Sequence, residues 1–292
     1  MRISYNFGSR HTGHLDNIKK QKEKFPKLVK DIVNMSDLIL EVLDARFIEE
    51  SRNEEIEGLV LSQGKKIIFV LNKSDLIDKS KIRKQIEDIE EKSKIEFYPT
   101  VLVSCSTRKG SKELRDRIKM EARKIEAVKE KKPIKKFEKI NVGVIGYPNT
   151  GKSSIINLIT GTASARVGAE SGFTKGIQKV KLTTKIHVLD TPGVIPEREY
   201  SHSKAEAIQK QSRLGARTLD KIRDPELVVI GLMRTNWKEI EGYYKIKAEG
   251  DMDNFIEQLG RKMSFLKKGG LVDENRTARL VIKDWQEGKI RL

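Results

Sequence analysis

The sequence predicts an α/β fold in which a doubly wound, mainly parallel sheet is followed by an all-helical domain. Two observations carry this prediction. Short apolar runs typical of buried strands alternate with helical patterns between residues 37 and 190, an order that favours a parallel sheet with helices on both faces. After residue 196 the strand pattern stops and only helical periodicity continues. We therefore expect a first domain over residues 1–200 and a helical domain over 201–292.

Three strand–helix pairs are predicted in the first half of the chain. Before them, residues 16–33 form a basic amphipathic pattern that Pro26 should kink. The predicted strands are rich in Ile, Leu and Val and cover residues 37–46, 65–75 (ending in a loop) and 100–104. The helices that follow them are predicted at 52–61, 79–93 and 111–128.

A charged segment that contains Pro133, residues 128–139, is predicted to link these pairs to the rest of the chain. A strand, a glycine-containing loop and a helix are predicted over 139–161, and a pair of strands over 178–190. From residue 203 the pattern is helical, with breaks expected at Pro225, Gly250 and Gly269–Gly270.

The charge of the chain is strongly positive and unevenly distributed. Its 292 residues include 59 Lys and Arg against 42 Asp and Glu, a formal net charge of +17. The whole excess lies in three segments, residues 1–30, 117–139 and 261–292. Such patches favour a polyanionic partner, most naturally nucleic acid. Solvated helix faces in a Lys/Glu-rich protein of thermophilic type are the alternative, although the charges of such proteins are usually balanced.

Several classes of protein are excluded by composition. No apolar run approaches the length needed to span a bilayer, and the N-terminus lacks the apolar region of a secretory signal. The single cysteine, Cys105, excludes a disulfide framework and a Cys-based zinc site. We expect a cytoplasmic protein without a membrane partner.

Residues Gly146 to Ser153 match the phosphate-binding pattern G-x-x-x-x-G-K-[ST] between a predicted strand and a helix. Lys152 is expected to reach the β- and γ-phosphates, and Ser153 to bind Mg²⁺. Backbone N–H groups of the loop and of the helix N-terminus would cradle the phosphates. A simple glycine turn would explain neither Lys152 nor Ser153. The other loop residues expected around the nucleotide are Asn149, Thr150, Gly151 and Ser154.

A D-T-P-G sequence begins at Asp190, where the predicted strand 185–190 ends. An aspartate at this distance after the phosphate loop suits a second contact to Mg²⁺. The backbone N–H of Gly193 could approach the γ-phosphate, since glycine has no side chain to interfere. In isolation the same four residues could be an ordinary turn; together with the phosphate loop they favour a nucleotide site.

An N-K-S-D sequence after the second strand indicates guanine as the base. The carboxylate of Asp75 can accept hydrogen bonds from the N1–H and N2–H₂ groups of guanine, whereas adenine offers an acceptor at N1. Lys73 is expected to pack along the base and Asn72 to tie the surrounding loops together.

Ser104, Cys105 and Ser106 follow the third strand, in the position of the S-A-K-type loop that backs guanine O6. This match is weaker, because Cys and Ser replace Ala and Lys, and Cys105 could equally be a small buried residue. Together these motifs predict a site for GTP or GDP with Mg²⁺.

The order of the motifs is unusual. An ordinary GTPase has the phosphate loop first and N-K-x-D later, whereas here the N-K-S-D and S-C-S segments come first. The sequence therefore predicts a circularly permuted P-loop GTPase domain, tolerable because domain termini tend to lie close together. Residues 117–139 would join the former ends, and the loop at 190–196 would lead directly into the helical domain. Nucleotide state could be transmitted to the helical domain by that route.

With these residues the chain resembles the circularly permuted GTPases of the YlqF/RbgA family, which act in ribosome assembly. The resemblance covers nearly the whole length and rests on LDAR (43–46), SRN (51–53), NKSD, GYPNTGKSS, SGFT (171–174), DTPGVIP and the segment 269–292. It implies that Thr174 contacts Mg²⁺ and the γ-phosphate. It also implies that the helical domain binds ribosomal RNA, with the large subunit favoured as partner.

The residue expected to position the attacking water is not in its usual place. Val194 stands where Ras-like enzymes carry a glutamine, so hydrolysis by the protein alone should be slow. The resembling family uses a histidine in a Pro-Gly-His-Met segment, which Thr12-Gly13-His14-Leu15 matches in its Gly and His. By this resemblance His14 is the catalytic candidate, with His11 as the nearest competitor. A loop histidine that touches RNA phosphate is the alternative.

Asn149 is the second residue that the resemblance affects. In the family, an asparagine here helps to hold K⁺ beside the phosphates, where the cation offsets charge as an arginine finger does elsewhere. A loop asparagine bonded to its own backbone is the alternative.

The basic residues of the helical domain are expected to contact phosphate, which requires only reach and charge. They are Arg276, Arg279, Lys283, Lys289 and Arg291. Trp285 fits a core position better than a base-stacking one. The function predicted is a ribosome assembly factor that binds and hydrolyses GTP, slowly alone and faster with ribosomal particles or rRNA. The alternatives are an RNA-binding chaperone with nucleotide as a conformational ligand only, and a membrane or signalling GTPase, against which the lack of a lipidation motif counts.

Overall fold

A computed structural model describes residues 29–93, 96–130, 139–161, 178–191, 210–216, 219 and 222–292. Three residues with expected roles in hydrolysis, His14, Thr174 and Gly193, lie outside this part, as does Val194. Residues 131–138 of the predicted linker 128–139 and residues 16–28 of the predicted helix 16–33 also lie outside it. Residues 29–33 are helical as predicted, and this helix continues to residue 35.

Six strands form one sheet in the order β3–β2–β1–β4–β6–β5. They are β1 (Leu38–Asp44), β2 (Lys66–Asn72), β3 (Thr100–Leu102), β4 (Ile140–Ile145), β5 (Gln178–Lys181) and β6 (Ile186–Asp190). All neighbouring pairs are parallel except β5 and β6, which form the antiparallel edge. This confirms the predicted mainly parallel sheet.

Besides the helical residues 29–35 and 210–213, eight helices accompany the sheet in the described part. They are α1 (Ile48–Ser51), α2 (Glu54–Ser62), α3 (Lys79–Ser93), α4 (Ser111–Glu130), α5 (Lys152–Thr160), α6 (Pro225–Tyr244), α7 (Met252–Lys262) and α8 (Glu274–Gln286). A 3₁₀ turn, Ser74–Leu76, follows β2.

Strand β1 shows why the fold is doubly wound. All seven of its residues are buried, and its apolar side chains alternate between two clusters. Leu38 and Val42 pack with α4 and α5 on one face, whereas Ile39 and Leu43 pack with α1, α2 and α3 on the other. A strand buried on both faces needs a largely apolar sequence, and five of these seven residues are Leu, Ile or Val; Glu41 and Asp44 are the exceptions.

The structure corrects several predicted boundaries. The second predicted strand ends at Asn72 because Lys73 adopts a left-handed conformation (φ 60°) and starts a turn. Pro225 begins a helix rather than breaking one, since proline is compatible with the first helical position. Helix α6 instead departs from helical geometry at Asn236. The expected all-helical part also contains an isolated β-bridge, between Leu266 and Val272.

Residues 210–292 build their own apolar cluster, which Phe47 and Tyr147 join from the sheet-bearing part. Trp285 lies at its centre and is fully buried, with its ring 5.7 Å from that of Phe47. The core interpretation of Trp285 is therefore confirmed. In the described part of the chain, no helix is both long enough and apolar enough to cross a membrane.

Candidate nucleotide-binding site

The sheet has a topological switch point between β1 and β4. From β1 the chain proceeds outward through β2 and β3 on one side, whereas after β4 it goes to the edge strand β5 on the other side and returns to β6. In open α/β sheets, ligands bind in the crevice outside the carboxyl ends of the strands at this point. The residues that follow or end the parallel strands at this edge include Asn72, Ser104, Gly146 and Asp190. The fold thus brings motifs that are distant in sequence to one crevice.

The phosphate loop connects β4 to α5 and ends at Gly151. This glycine has φ +98°, and a Cβ atom on it would lie 2.2 Å from Nδ2 of Asn72. Any other residue would be strained in the backbone and would also collide with the asparagine. The close approach joins the phosphate loop to the N-K-S-D segment and leaves the N-terminus of α5, which favours anions, facing the crevice.

Lys152, the first residue of α5, is buried, and its Nζ donates a hydrogen bond to the carbonyl oxygen of Tyr147 at 2.9 Å. Burial lowers the pKa of Lys152 to about 8, against the opposing attraction of Asp190. The ammonium is therefore held in the loop at a cost in desolvation, which a phosphate group would offset.

Ser153 and Asp190 meet on the other side of the loop. The hydroxyl of Ser153 donates to Oδ2 of Asp190 at 3.0 Å. Oδ1 of Asp190 is buried and has no hydrogen-bond partner in the described part of the chain. Burial raises the pKa of Asp190, although Ser153 and Lys152 counteract it. A hydroxyl beside an unpartnered carboxylate oxygen fits Mg²⁺, which prefers hard oxygen ligands.

Asn72 ties two loops together, as the sequence predicts. Its Nδ2 donates to the carbonyl oxygen of Thr150 at 2.7 Å, and its Oδ1 accepts from the N–H of Cys105 at 3.4 Å. The amide nitrogen and the amide oxygen of this buried side chain each form a hydrogen bond, one to the phosphate loop and one to the loop after β3. The two loops are thereby held in a fixed relation.

Asp75 lies beside the S-C-S loop. Its Oδ2 accepts from the hydroxyl of Ser106 at 2.9 Å, and that hydroxyl lies 3.0 Å from the hydroxyl of Ser104. Burial alone would raise the pKa of Asp75, but hydrogen bonds from both serines and the charge of Arg291 lower it. The carboxyl is ionised at neutral pH and is an acceptor only, as recognition of the guanine edge requires.

Cys105 is half-buried, and burial raises the pKa of its thiol to about 11, with Asp75 adding to the shift. The thiol is neutral at physiological pH. This fits a small residue that lines the loop.

Lys73 is anchored by an ion pair that sequence reasoning missed. Its Nζ lies 2.8 Å from Oδ2 of Asp44, the last residue of β1. Asp44 also forms a bidentate ion pair with Arg46, in which Nε and NH2 of the arginine donate to the two carboxylate oxygens at 3.0 and 2.9 Å, and both residues are buried. Burial would raise the pKa of Asp44, but Arg46 and Lys73 hold it well below its usual range. The sequence did contain a signal for this ion pair. It is the Asp-x-Arg pattern at the end of an apolar strand, where a buried carboxylate needs a positively charged partner.

Asn149 contacts the helical part of the chain. Its Nδ2 donates to the carbonyl oxygen of Gly215, and Lys210 lies over the ring of neighbouring Tyr147 at 5.9 Å. Neither contact could be predicted from a pattern in the sequence. The expectation that Asn149 helps to hold K⁺ stays a prediction, as do the roles of His14, Thr174 and Gly193.

Comparison with known proteins agrees with this geometry. Residues 141–262 match the family described as 50S ribosome-binding GTPase. An uncharacterized GTP-binding protein of Methanocaldococcus jannaschii is 38% identical over 94% of this chain and 68% of its own length. A nuclear GTP-binding protein of Saccharomyces cerevisiae is 30% identical over 94% of this chain, which spans only 56% of that relative.

The fold matches that of a solved structure, YlqF from T. maritima in its GNP-bound form. The TM-score is 0.61 at 23% identity, covering 91% of this chain and 94% of the other. The likeness in fold, the permuted order of the motifs across the sheet and the archaeal relative agree with one another. The chain belongs to the YlqF/RbgA family of circularly permuted GTPases.

Proposed function

We propose that this GTPase is a ribosome assembly factor that hydrolyses GTP slowly alone and faster on a ribosomal particle. One observation carries the nucleotide part of the proposal. The buried Lys152, the Ser153–Asp190 pair and the ionised Asp75 lie around a single crevice at the switch point of the sheet. These groups complement the phosphates, the metal and the guanine edge of GTP, respectively.

The chain's own residues would divide the work as follows. Lys152 offsets the charge that builds on the β- and γ-phosphates as the terminal bond breaks. Ser153 and Asp190, with Thr174, would hold Mg²⁺, which when bound neutralises phosphate charge. The backbone N–H of Gly193 would contact the γ-phosphate. His14 would position or deprotonate the attacking water in place of the glutamine absent at Val194.

We also propose that K⁺ supports the reaction through Asn149. Its amide nitrogen is already engaged with Gly215, and an amide oxygen is a suitable ligand for a hard cation. The cation would supply positive charge near the oxygen that bridges the β- and γ-phosphates, since none of the residues proposed for this site is an arginine.

The proposed partner is ribosomal RNA within a ribosomal particle, with the large subunit preferred. The support is the description of the matching family as 50S ribosome-binding, together with the basic segment 261–292. In the described part, Lys267 and Lys268 are exposed at the turn before α8, with the backbone freedom of Gly269 and Gly270 beside them. Charge of this kind gives salt-dependent binding to phosphate. A cytoplasmic location stays an expectation.

Four of the five expected phosphate contacts also have internal partners. Nζ of Lys283 lies 3.9 Å from a carboxylate oxygen of Glu287, and Nζ of Lys289 lies 2.7 Å from one of Asp284. The guanidinium of Arg279 donates to the carbonyl oxygens of Leu219 and Ile222, and that of Arg276 lies 4.1 Å from the centre of the Phe265 ring. We therefore assign phosphate contact first to Lys267 and Lys268, which are exposed at the turn before α8.

Multiple-turnover GTP hydrolysis tests the proposal, measured with large subunits, with small subunits and without particles, in K⁺ and in Na⁺. We expect stimulation by large subunits in K⁺, and loss of that stimulation in His14→Ala with GDP affinity unchanged. The matched control is His11→Ala. Particle binding that depends on GTP but gives no turnover would instead support the RNA-binding chaperone. Equal rates in K⁺ and Na⁺ would remove the role of Asn149.

A further inference from the structure

The segment that follows helix α8 packs against the base-reading turn. The N–H of Leu292 donates to the carbonyl oxygen of Leu76 at 2.7 Å, and Leu76 is the residue directly after Asp75. Gly288 approaches the same leucine from the side: a Cβ on Gly288 would lie 2.6 Å from Cδ1 of Leu76. One residue of the turn is therefore held by both its backbone and its side chain.

The other side of the turn is held by the end of α8 itself. Lys73 pairs with Asp44, Asp44 pairs with Arg46, and NH1 of Arg46 donates to the carbonyl oxygen of Trp285 at 3.0 Å. Asp44 and Arg46 are buried, so this chain of charged contacts is shielded from water and salt. Residues 73 and 76 bracket Asp75, and both are connected to the last turn of α8 and the segment after it.

The segment 288–292 is itself anchored to α8 and to the apolar cluster of the helical part. The N–H groups of Gly288 and Lys289 donate to the carbonyl oxygens of Trp285 and Asp284 at 3.1 and 2.9 Å. Nζ of Lys289 pairs with Asp284 at 2.7 Å, and Ile290 is fully buried in the apolar cluster of the helical part. Because residues 288–292 are anchored in this way, a movement of α8 would displace Leu76.

We propose that Trp285 and residues 288–292 form a brace that positions Asp75 and so helps to set selectivity for guanine. The inference rests on the proposed role of Asp75 as the reader of the base. Arg291 adds to the brace, because its positive charge favours the ionised carboxyl of Asp75 that accepts from guanine.

The brace links the nucleotide base to the helical domain without using the loop after Asp190. Binding that shifts α8 would alter guanine affinity, and by reciprocity guanine binding would bias the position of α8. The helical domain could thus sense that a guanine nucleotide is present separately from whether its γ-phosphate is intact.

Two glycines of the same domain provide a matched test. Gly288 (φ +73°) meets Leu76, whereas Gly270 (φ +80°) has nothing within 4 Å of its Cβ position. Alanine at either position carries a similar backbone strain, so only the contact with Leu76 differs. The readout is the affinity for GDP relative to IDP, which lacks the exocyclic amino group that Asp75 would bind.

We expect Gly288→Ala to reduce the GDP-over-IDP preference about fivefold to tenfold, and Gly270→Ala to leave it unchanged. Leu76→Ala added to Gly288→Ala should restore part of the preference by making room. Equal preference in the two alanine variants would overturn the brace. If Gly288→Ala does not fold, Arg291→Gln is measured instead: a preference reduced about twofold supports the brace, and an unchanged one overturns it.

The role of Asp75 is checked in the same assay. Asp75→Asn should lose most of the preference for GDP over IDP. An unchanged preference in Asp75→Asn would overturn the proposed base reader itself, whereas a normal effect of Asp75→Asn with no effect of Gly288→Ala overturns only the brace.

Discussion

The two halves of the nucleotide crevice are built differently. On the base side, polar side chains are bound to protein groups that guanine need not displace: Asn72 to Thr150, Lys73 to Asp44, and Ser106 to one oxygen of Asp75. On the phosphate side, Lys152 donates to a carbonyl of its own loop, Ser153 donates to Asp190, and the second oxygen of Asp190 has no partner among the described residues. The base side is preorganised by the fold, whereas the phosphate side must exchange partners when nucleotide binds.

The electrostatics follow the same division. The pKa of Asp75 is lowered, mainly because hydrogen bonds outweigh burial, so its charge is stabilised by the protein. The pKa of Lys152 is lowered and that of Asp190 is raised, both primarily by burial, so both charges are disfavoured. If Asp75 reads the base as proposed, selectivity resides in a relaxed part of the structure, and the proposed phosphate site retains a desolvation cost that a ligand would offset.

The largest expected effect comes from removing the cation of the phosphate side. Lys152→Met should weaken GDP binding by about 100-fold or more, because a buried charge-assisted contact to phosphate is lost. Titration with a fluorescent GDP analogue measures it. The control is Lys179→Met, an exposed lysine on the edge strand β5, and equal affinities of the two variants would contradict the assignment.

The same residue should give the phosphate side a pH signature in stability. The folded pKa of Lys152, about 8, lies below its ordinary value of 10.5. Between these values the unfolded chain binds more protons, so the free energy of unfolding should rise with pH across that window.

Below pH 8 the whole penalty is present, and above 10.5 it is absent. Nucleotide-free Lys152→Met should consequently be more stable than the parent at pH 7, by at most about 3 kcal/mol, and the advantage should vanish towards pH 10.5. Urea unfolding at several pH values checks this, and a difference independent of pH would refute it.

Asp190→Asn tests whether the carboxylate on the phosphate side binds Mg²⁺. An amide keeps the size of the side chain but removes the charge, so the Mg²⁺ needed for half-maximal GTP binding should rise about tenfold. Asp253→Asn, at an exposed position on α7, is the matched control. Unchanged Mg²⁺ dependence in Asp190→Asn would show that the unpartnered oxygen is not a ligand.

The smallest expected effect concerns Asn72, whose side chain connects the base side of the crevice to the phosphate side. Asn72→Ala removes the bond to Thr150 and should lower the free energy of unfolding by about 1–2 kcal/mol, since a buried carbonyl loses its donor. Asn34→Ala, an exposed asparagine, should change it by less than about 0.5 kcal/mol. Thermal or urea unfolding of both variants measures the difference. Equally small losses of unfolding free energy in the two variants would mean that the hydrogen bonds of Asn72 do not stabilise the contact between the loops.

Local motifs predicted most of this crevice, because each one lies in a strand–loop–helix context that spacing reveals. The phosphate loop, Asp75 with its serines and the permuted order required only short stretches of sequence. The Asp44–Arg46–Trp285 connection and the contact of Leu292 with Leu76 join residues more than 200 positions apart. Such pairings leave no periodic pattern in one sequence, since they arise from how α8 packs on the sheet-bearing part.

Hydrogen exchange with and without GDP·Mg²⁺ tests the contrast between the two halves most directly. The amides of residues 72–76 should be well protected without nucleotide and gain little when it binds, because their loop is already held. The amides of 149–154 should gain protection by at least about tenfold, because their partners are exchanged for phosphate. Equal gains in the two segments, or a larger gain at 72–76, would contradict a preorganised base side and a ligand-dependent phosphate side.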